Sequence, residues 1–387
     1  MKKDSALIAI TGMGSISPLG SQREDIWRSY KSGGTKITSR DSDSRFMASL
    51  ELKEENLVLE LLEIDPKFKE LDRTALLALV AAKKALSEAR CTGTGLTVNI
   101  GSSRGATSLF ERHFEDFLRS RTVPARTSPT TTLGNISSWV AQESGADLSI
   151  SHSATCSTAL EAIANGIAWI RSGLCDRFLA GGSEAPLTDF TIAQMDALRI
   201  TSLSLSPYPC RPISDSQDNT MVLGEGAALF ALESINDRSS TRPLGIIDGL
   251  GWGMEKISSA SSITESGEAL LAAMKMAVDS SRLRPDIIAL HAPGTRKGDR
   301  AELSAIQSLF GSEIPFLISN KWIIGHTLGA SAALSLELAV LLLNYGEIFD
   351  FPYEVIMQGE KPSKISTVMV NSSGFGGQAF SLIVSKG

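Results

Sequence analysis

Short apolar runs alternate with longer stretches of helical periodicity from one end of this chain to the other. The run 6–11, which ends at Gly12, and the run 178–180 are apolar almost throughout, which is typical of strands buried on both faces of a sheet, and a further strand is predicted at 96–100. The stretch 71–90 instead repeats its alanines and leucines at helical spacing, and 156–171 shows the same period. We therefore expect an α/β fold in which helices cover both faces of the sheet.

The same alternation begins again after residue 243. Strands are predicted at 244–250, 287–291, 315–319, 366–371 and 379–384, and helices at 267–278, 300–310 and 329–343. The polar segment 234–243 separates the two series and is the best internal boundary. A chain of 387 residues with 42% hydrophobic residues can fill a core of this size. We predict two units, residues 1–237 and 238–387.

Composition and charge exclude several classes of protein. The formal net charge of −6 argues against nucleic-acid binding. The longest apolar helical stretch, 332–344, is interrupted by Glu337 and is shorter than the roughly 18 residues of a membrane span. The opening residues lack the long apolar run of an export signal. The four cysteines form no C-x-x-C pair and no zinc-ligand spacing, so we expect free thiols, no metal, no cofactor and a cytoplasmic location.

Cys156 stands where a predicted strand and a turn rich in serine, threonine and alanine lead into a predicted helix. Backbone N–H groups at the start of a helix are unpaired and carry partial positive charge. A thiol at that position ionises more easily, and the thiolate is the form that attacks a thioester. A buried structural cysteine is the competing interpretation of the same local pattern.

Five segments, in order along nearly the whole chain, resemble the β-ketoacyl-acyl-carrier-protein synthases. The segment around Cys156 matches the nucleophile turn and helix of that family, followed by Gly-x-x-Asp and a strand into Gly-Gly-x-Glu. The resemblance implies a thiolase-like fold, in which two similar α-β-α-β-α halves form five layers. The five segments are ITGMGSISPLG (10–20), SATCSTALEAIANGIAWIRSGLCDRFLAGGSE (153–184), RPISDSQDNTMVLGEGAALFALES (211–234), SNKWIIGHTLGASA (319–332) and NSSGFGG (371–377).

The resemblance assigns catalytic roles to three residues. Cys156 corresponds to the nucleophile that carries the acyl group. His326 corresponds to the histidine that contacts the acyl or malonyl thioester, and Lys321 to the lysine that supports the site electrostatically. A neutral histidine there can donate a hydrogen bond to a developing oxyanion. The structural alternatives are a core histidine for His326 and a solvated surface residue for Lys321.

The glycine-rich loop near the end of the chain resembles the family's gate. Phe375, between Gly374 and Gly376, corresponds to the phenylalanine that opens and closes the acyl pocket, and the flanking glycines allow it to move. The backbone N–H groups of this loop and of the nucleophile form the oxyanion hole in the family. A tight turn without a catalytic role is the alternative. Glu302 and Thr295 are expected to hold the catalytic residues in position without contacting the substrate themselves.

The pattern departs from the family at one position. The family motif Asn-Ala-His-Gly-Thr-x-Thr reads His-Ala-Pro-Gly-Thr-Arg-Lys here, so Pro293 stands where a second catalytic histidine is expected. Proline offers neither a hydrogen-bond donor nor a titrating group. His291 lies two residues earlier, and on an extended strand both residues face the same side. We consider two interpretations, a core or supporting His291 and a His291 that a shifted backbone brings into the site.

The resemblance implies acyl carrier protein as partner, and acyl and malonyl thioesters as substrates, in fatty-acid, polyketide or polyene biosynthesis. Loss of one oxyanion donor predicts that condensation with malonyl units is impaired, while acyl transfer to Cys156 is retained. The competing hypothesis is a non-catalytic subunit like the family's chain-length factors, paired with an active ketosynthase. Family members are dimers, so we expect a homodimer or a heterodimer with another ketosynthase-fold subunit.

Overall fold

A computed structural model describes residues 7–40, 45–235, 243–259 and 262–387. In this part of the chain, ten strands form one mixed sheet and three short strands form a second sheet. The strands are β1 (Leu7–Ile16), β2 (Thr38–Ser39), β3 (Phe46–Ala48), β4 (Leu96–Gly101), β5 (Leu148–Ile150), β6 (Arg177–Glu184), β7 (Leu223–Gly224), β8 (Gly226–Ile235), β9 (Gly245–Met254), β10 (Ile287–Ala289), β11 (Phe316–Ile318), β12 (Thr367–Gly374) and β13 (Gln378–Ser385).

Helices fill most of the chain between these strands. They are α1 (Arg23–Lys31), α2 (Leu52–Ile64), α3 (Arg73–Ala89), α4 (Thr107–Ser120), α5 (Thr127–Thr131), α6 (Asn135–Ser144), α7 (Thr158–Ser172), α8 (Asp189–Ala197), α9 (Glu268–Ser281), α10 (Arg296–Phe310), α11 (Lys321–Ile324) and α12 (Ser331–Tyr345), with short 3₁₀ turns at Pro66–Glu70 and Leu328–Ala330.

The large sheet consists of two halves with the same topology. From its centre outwards, the first half runs β1-β8-β6-β4-β5 and the second runs β9-β13-β12-β10-β11. Numbered by chain order within each half, both sequences are 1-5-4-2-3. The halves join where Ile8–Ile10 of β1 pair antiparallel with Gly245–Ile247 of β9. The expectation of two similar halves is confirmed, although the strands form one continuous sheet.

Helices α7 and α12 lie between the two halves of the sheet. Leu160 of α7 and Leu338 of α12 belong to one buried cluster, which also contains Phe230 of β8 and Val370 of β12. Helices α3 and α6 form a second cluster with the first half, and α9 and α10 form a third with the second half. The order of layers is therefore helix, sheet, helix, sheet, helix, as the family resemblance implied.

The central helix α12 explains the most apolar stretch of the sequence. Together with the preceding 3₁₀ turn, the segment Leu328–Tyr345 is long and apolar enough to span a bilayer by length and composition. This apolar segment is therefore longer than the stretch 332–344 that was identified in the sequence. Because 89% of this segment is buried inside the fold, it is a core helix.

Several predicted boundaries were wrong for identifiable reasons. Strand β1 does not end at Thr11 but continues to Ile16, because Gly12 and Gly14 let it lie directly against α3. A Cβ atom at either glycine would lie 2.2 Å from a carbonyl oxygen of α3. Helix α10 begins at Arg296 rather than Arg300. The predicted boundary segment 234–243 lies mostly outside the described residues, so the division at 237 stays a prediction.

Candidate active site

The turn before α7 fixes the position of Cys156. Thr155 adopts a left-handed backbone conformation with a φ of 50°, which is unfavourable for a β-branched residue. The turn is held by the Thr158 hydroxyl, which accepts from Ala154 N at 2.8 Å, and by the Ser157 hydroxyl, which donates to Ala154 O at 2.7 Å. Cys156 therefore precedes the helix, which begins at Thr158, and the prediction that it opens the helix was wrong.

His326 contacts Cys156 directly. Its Nε2 lies 3.2 Å from Sγ of Cys156. The backbone of His326 is fixed because its N–H donates to Val222 O at 2.6 Å. Gly325 makes this approach feasible, since its φ is 65° and a Cβ there would lie 2.7 Å from the same Val222 oxygen. The imidazole is buried, and its Nδ1 has no hydrogen-bond partner within the described residues.

Burial decides the protonation states of this pair. Desolvation, followed by the Glu184 carboxylate, raises the pKa of Cys156 to about 12, although Lys321 acts in the opposite direction. Desolvation and Lys321 lower the pKa of His326 to about 3. The resting site therefore contains a neutral thiol beside a neutral imidazole. Desolvation therefore opposes the easily formed thiolate that the sequence suggested, and its effect exceeds that of Lys321 and of the Cys156 backbone N–H, which favour the thiolate.

Lys321 lies behind the nucleophile as a buried cation. Its side chain is 1% exposed, which excludes the alternative of a surface lysine. The Nζ atom donates to Leu290 O at 3.1 Å and to Ser335 Oγ at 3.4 Å. Desolvation lowers the pKa of Lys321 to about 8, and the nearby carboxylates, Glu302 first, oppose that shift. A positive charge held here favours negative charge on the Cys156 sulfur.

The Phe375 loop packs against the nucleophile turn. Thr155 Oγ1 donates to Phe375 O at 3.1 Å, and Ser372 Oγ donates to Cys156 O at 3.0 Å. A Cβ atom at Gly374 would lie 2.0 Å from Thr155 Oγ1 and 3.1 Å from the backbone nitrogen of Cys156. Gly374 therefore permits the close approach of the two segments, and Phe375 lines the cavity with 42% of its surface exposed.

Two buried carboxylates hold the turn that contains Pro293. Glu302 accepts hydrogen bonds from the backbone N–H groups of His291 at 3.0 Å and Ala292 at 2.7 Å, and from Asn371 Nδ2 at 3.0 Å. Asp299 accepts from Gly294 N at 3.0 Å. Desolvation raises the pKa of Glu302 and raises that of Asp299 to about 7. Glu302 thus supports the site by fixing backbone geometry.

One cavity of about 210 Å³ contains the catalytic candidates. Cys156, His326, Phe375, Gly374 and Thr295 line it, whereas Lys321 and Glu302 lie behind its wall. Sequence reasoning missed the apolar wall of this cavity, because its residues come from separate parts of the chain and only the fold brings them together. That wall consists of Met195, Leu198, Ile200, Met221, Ile263 and Leu328. Met221 and Leu328 lie within the family-like segments 211–234 and 319–332, and the other four lie outside all five segments.

His291 reaches the same cavity. Its ring centroid lies 5.3 Å from that of His326, and the two ring planes meet at 81°. Pro293 also lines the cavity, so His291 and Pro293 of the altered motif both lie on the wall that Cys156 and His326 share. The interpretation that places His291 in the site agrees with this location. The other two histidines lie elsewhere: His113 is in α4, and His152 contacts Asn99 and Thr158 O.

Comparisons with known proteins agree with this architecture. A family model described as the β-ketoacyl synthase N-terminal domain matches residues 6–238, and one described as the C-terminal domain matches residues 244–351. The 3-oxoacyl-[acyl-carrier-protein] synthase 2 of Staphylococcus aureus strain COL is 28% identical over 414 aligned residues, which cover 98% of each protein. Nodulation protein E of Rhizobium sp. strain N33 is 28% identical over 364 residues, covering 88% of this chain and 87% of that protein.

Solved structures share the fold over the whole length. A β-ketoacyl synthase from Burkholderia phymatum STM815 is 24% identical with a TM-score of 0.85. A type II polyketide synthase ketosynthase, solved with its acyl-carrier protein, is 20% identical with a TM-score of 0.86. Each alignment covers 99% of this chain and 100% of the other. With two domain models that match most of its length, the chain belongs to the β-ketoacyl synthase family.

Proposed function

We propose that Cys156 accepts an acyl group from the thioester of an acyl carrier protein. The observation that carries this proposal is the 3.2 Å contact between Cys156 Sγ and His326 Nε2 inside the cavity. A thiol beside a neutral imidazole is the arrangement that general-base activation of a nucleophile requires. The same contact argues against a purely structural cysteine.

The transfer proceeds with the proton moving as the sulfur attacks. Nε2 of His326 takes the thiol proton while Sγ of Cys156 bonds to the thioester carbon. The tetrahedral intermediate then collapses, its bond to the carrier sulfur breaks, and the departing carrier thiolate takes the proton from His326. One thioester is exchanged for another, with no other reactant. The protonation states of the resting pair support this route, because neither group is charged before substrate arrives.

The oxyanion of that intermediate is placed against backbone N–H groups of Cys156 and the Phe375 loop. The hydrogen bonds between the two segments and the close approach of Gly374 to the Cys156 nitrogen support this role. Fixed donors at the developing charge lower a barrier more than mobile water does. Lys321 adds a buried positive charge, which lowers the pKa of the Cys156 sulfur relative to burial alone.

The apolar wall of the cavity suits the hydrocarbon part of an acyl chain, and Phe375 at its mouth suits a gate. The biosynthetic setting that fits is fatty-acid or polyketide synthesis, including polyenes, in the cytoplasm. Condensation with malonyl-carrier protein follows acylation in this scheme, and Pro293 contributes no donor to it.

A chain-length-factor-like subunit is the second candidate, because Pro293 removes a histidine that chain extension is expected to need. Such a subunit pairs with an active ketosynthase and does not itself carry an acyl group. Co-expression with a ketosynthase that retains both histidines, followed by affinity capture, distinguishes a heterodimer from a homodimer.

Intact mass spectrometry tests the primary proposal. Wild-type protein incubated with an acyl-acyl carrier protein is expected to gain the mass of the acyl group, with the modified peptide containing Cys156. Cys156→Ala should gain nothing. Cys175→Ala, a partly buried cysteine outside the cavity, is the matched control and should behave as wild type. An unmodified wild-type protein beside a donor that acylates another ketosynthase would reject the proposal and favour the non-catalytic subunit.

A further inference from the structure

We infer that His291 is a catalytic residue, which supplies the second imidazole N–H for decarboxylation of a malonyl thioester. Pro293 occupies the position expected for that histidine, but the site retains a histidine two residues earlier. The inference rests on the proposed function, because the carbanion formed by decarboxylation extends a chain only when Cys156 carries an acyl group.

The backbone presents the His291 ring to the reacting space. Strand β10 ends at Ala289, and the following turn is fixed by the bonds from His291 N and Ala292 N to Glu302. Held in this way, His291 and Pro293 both line the cavity that Cys156 and His326 share. The side chain is therefore part of the wall of the site and does not belong to the core behind it.

The two imidazoles form a compact pair. Their centroids are 5.3 Å apart and their planes are nearly perpendicular. Rings this close lie on one wall of the cavity, where both can contact the same substrate group. Among the described residues, the hydrogen bonding of His291 involves its backbone N–H, and its ring nitrogens remain available for a ligand.

His291 and His326 can each donate a hydrogen bond to an anion while their rings are neutral. Desolvation, then His326 and Lys321, hold the pKa of His291 well below its usual range. Each neutral ring carries a single N–H donor. Lys321 contributes positive charge from behind the wall, so an enolate oxygen in front of the rings would meet two donors and one nearby cation.

Decarboxylation breaks the bond between the malonyl α-carbon and its carboxylate, and CO₂ leaves. The electron pair of that bond moves into the α-carbon to carbonyl-carbon bond, and the thioester oxygen becomes an enolate oxygen that His291 and His326 stabilise. The α-carbon then attacks the acyl carbon on Cys156, the carbon–sulfur bond breaks, and a proton from solvent returns to the sulfur.

Release of CO₂ from malonyl-acyl carrier protein alone tests the inference without an acyl donor, because the enolate then takes a proton from solvent and leaves acetyl-acyl carrier protein. We expect His291→Ala to slow decarboxylation about 100-fold or more, and His291→Gln, which keeps a side-chain N–H, to slow it less. Cys156 acylation, measured separately by intact mass, should fall by a much smaller factor than decarboxylation, since His291 donates no hydrogen bond in that transfer. The double variant His291→Ala with Pro293→His should recover decarboxylation relative to His291→Ala.

His113→Gln, a histidine of α4 outside the cavity, is the matched control and should decarboxylate at the wild-type rate. Thermal unfolding of each variant identifies loss of fold, and His291→Gln provides the answer if His291→Ala does not fold. Decarboxylation by folded His291→Ala or His291→Gln variants at the wild-type rate would overturn the inference, as would a wild-type protein that acylates Cys156 but releases no CO₂. Loss of Cys156 acylation alone would instead reject the proposed function.

Discussion

Sγ of Cys156 and Nε2 of His326 lie 3.2 Å apart although 170 positions separate the two residues in the chain. Cys156 belongs to the first half of the fold and His326 to the second. Each precedes one of the two helices of the central layer, Cys156 before α7 and His326 before α12. The packing of these two helices between the sheet halves therefore places Cys156 beside His326.

Gly374→Ala should slow acylation of Cys156 about 10- to 100-fold. The added Cβ would overlap Thr155 Oγ1, at 2.0 Å, and move the Phe375 loop away from the nucleophile turn. Single-turnover acylation measured by mass spectrometry checks this. Gly134→Ala is the control, because a Cβ at Gly134 meets no atom within 4 Å and its φ is −60°. Acylation of Gly374→Ala at the wild-type rate would show that the loop does not complete the site.

Glu302→Ala should lower the free energy of unfolding by about 2–5 kcal/mol. The change leaves the N–H groups of His291 and Ala292 and the amide of Asn371 without an acceptor in a buried place. Urea unfolding checks this, with exposed Ser304→Ala on the same helix as control, which should change by less than about 0.5 kcal/mol. Equal stability of the Glu302→Ala and Ser304→Ala variants would contradict the assigned role.

Glu337→Gln should make the protein more stable above neutral pH. Glu337 is fully buried in α12, accepts from Ser15 Oγ, and has its pKa raised to about 7 by desolvation. A carboxyl with a raised folded-state pKa favours the folded state below its unfolded pKa, and that contribution is lost as pH rises through about 7.

Urea unfolding of wild type and Glu337→Gln at two pH values measures this effect. The two proteins should be similar at about pH 4, below the ordinary pKa of a glutamate, and the variant should be more stable by up to about 3 kcal/mol at about pH 8. A stability difference that is the same at both pH values would show that Glu337 does not titrate in this range.

Much of the fold could be predicted because its signals are local. The apolar runs and helical periods indicated alternating strands and helices, and Gly12 shows where such reasoning fails. A glycine after an apolar run indicates a turn, but here it lets β1 continue against α3. Only the partner helix decides between those outcomes, and no local pattern contains it.

The site shows the same division between local and tertiary information. The motifs identified Cys156 and His326, which the structure brings together. They did not indicate the pKa of Cys156, because desolvation depends on residues from the whole fold. The prediction that His291 and Pro293 share one face assumed a strand that continues past residue 289, but β10 ends at Ala289. Both residues line the cavity because Glu302 fixes the turn that follows the strand, which no local pattern showed.

The pH dependence of Cys156 acylation in wild type and His326→Ala tests most directly whether His326 activates Cys156. Since the pKa of His326 is lowered to about 3 and that of Cys156 is raised to about 12, the wild-type rate should be nearly constant between about pH 6 and 9. The His326→Ala rate should be about 100-fold lower at neutral pH and rise about tenfold per pH unit, because it depends on the scarce thiolate. Parallel profiles for the two proteins, or a wild-type rate that follows a thiol titrating near neutral pH, would contradict activation of Cys156 by His326.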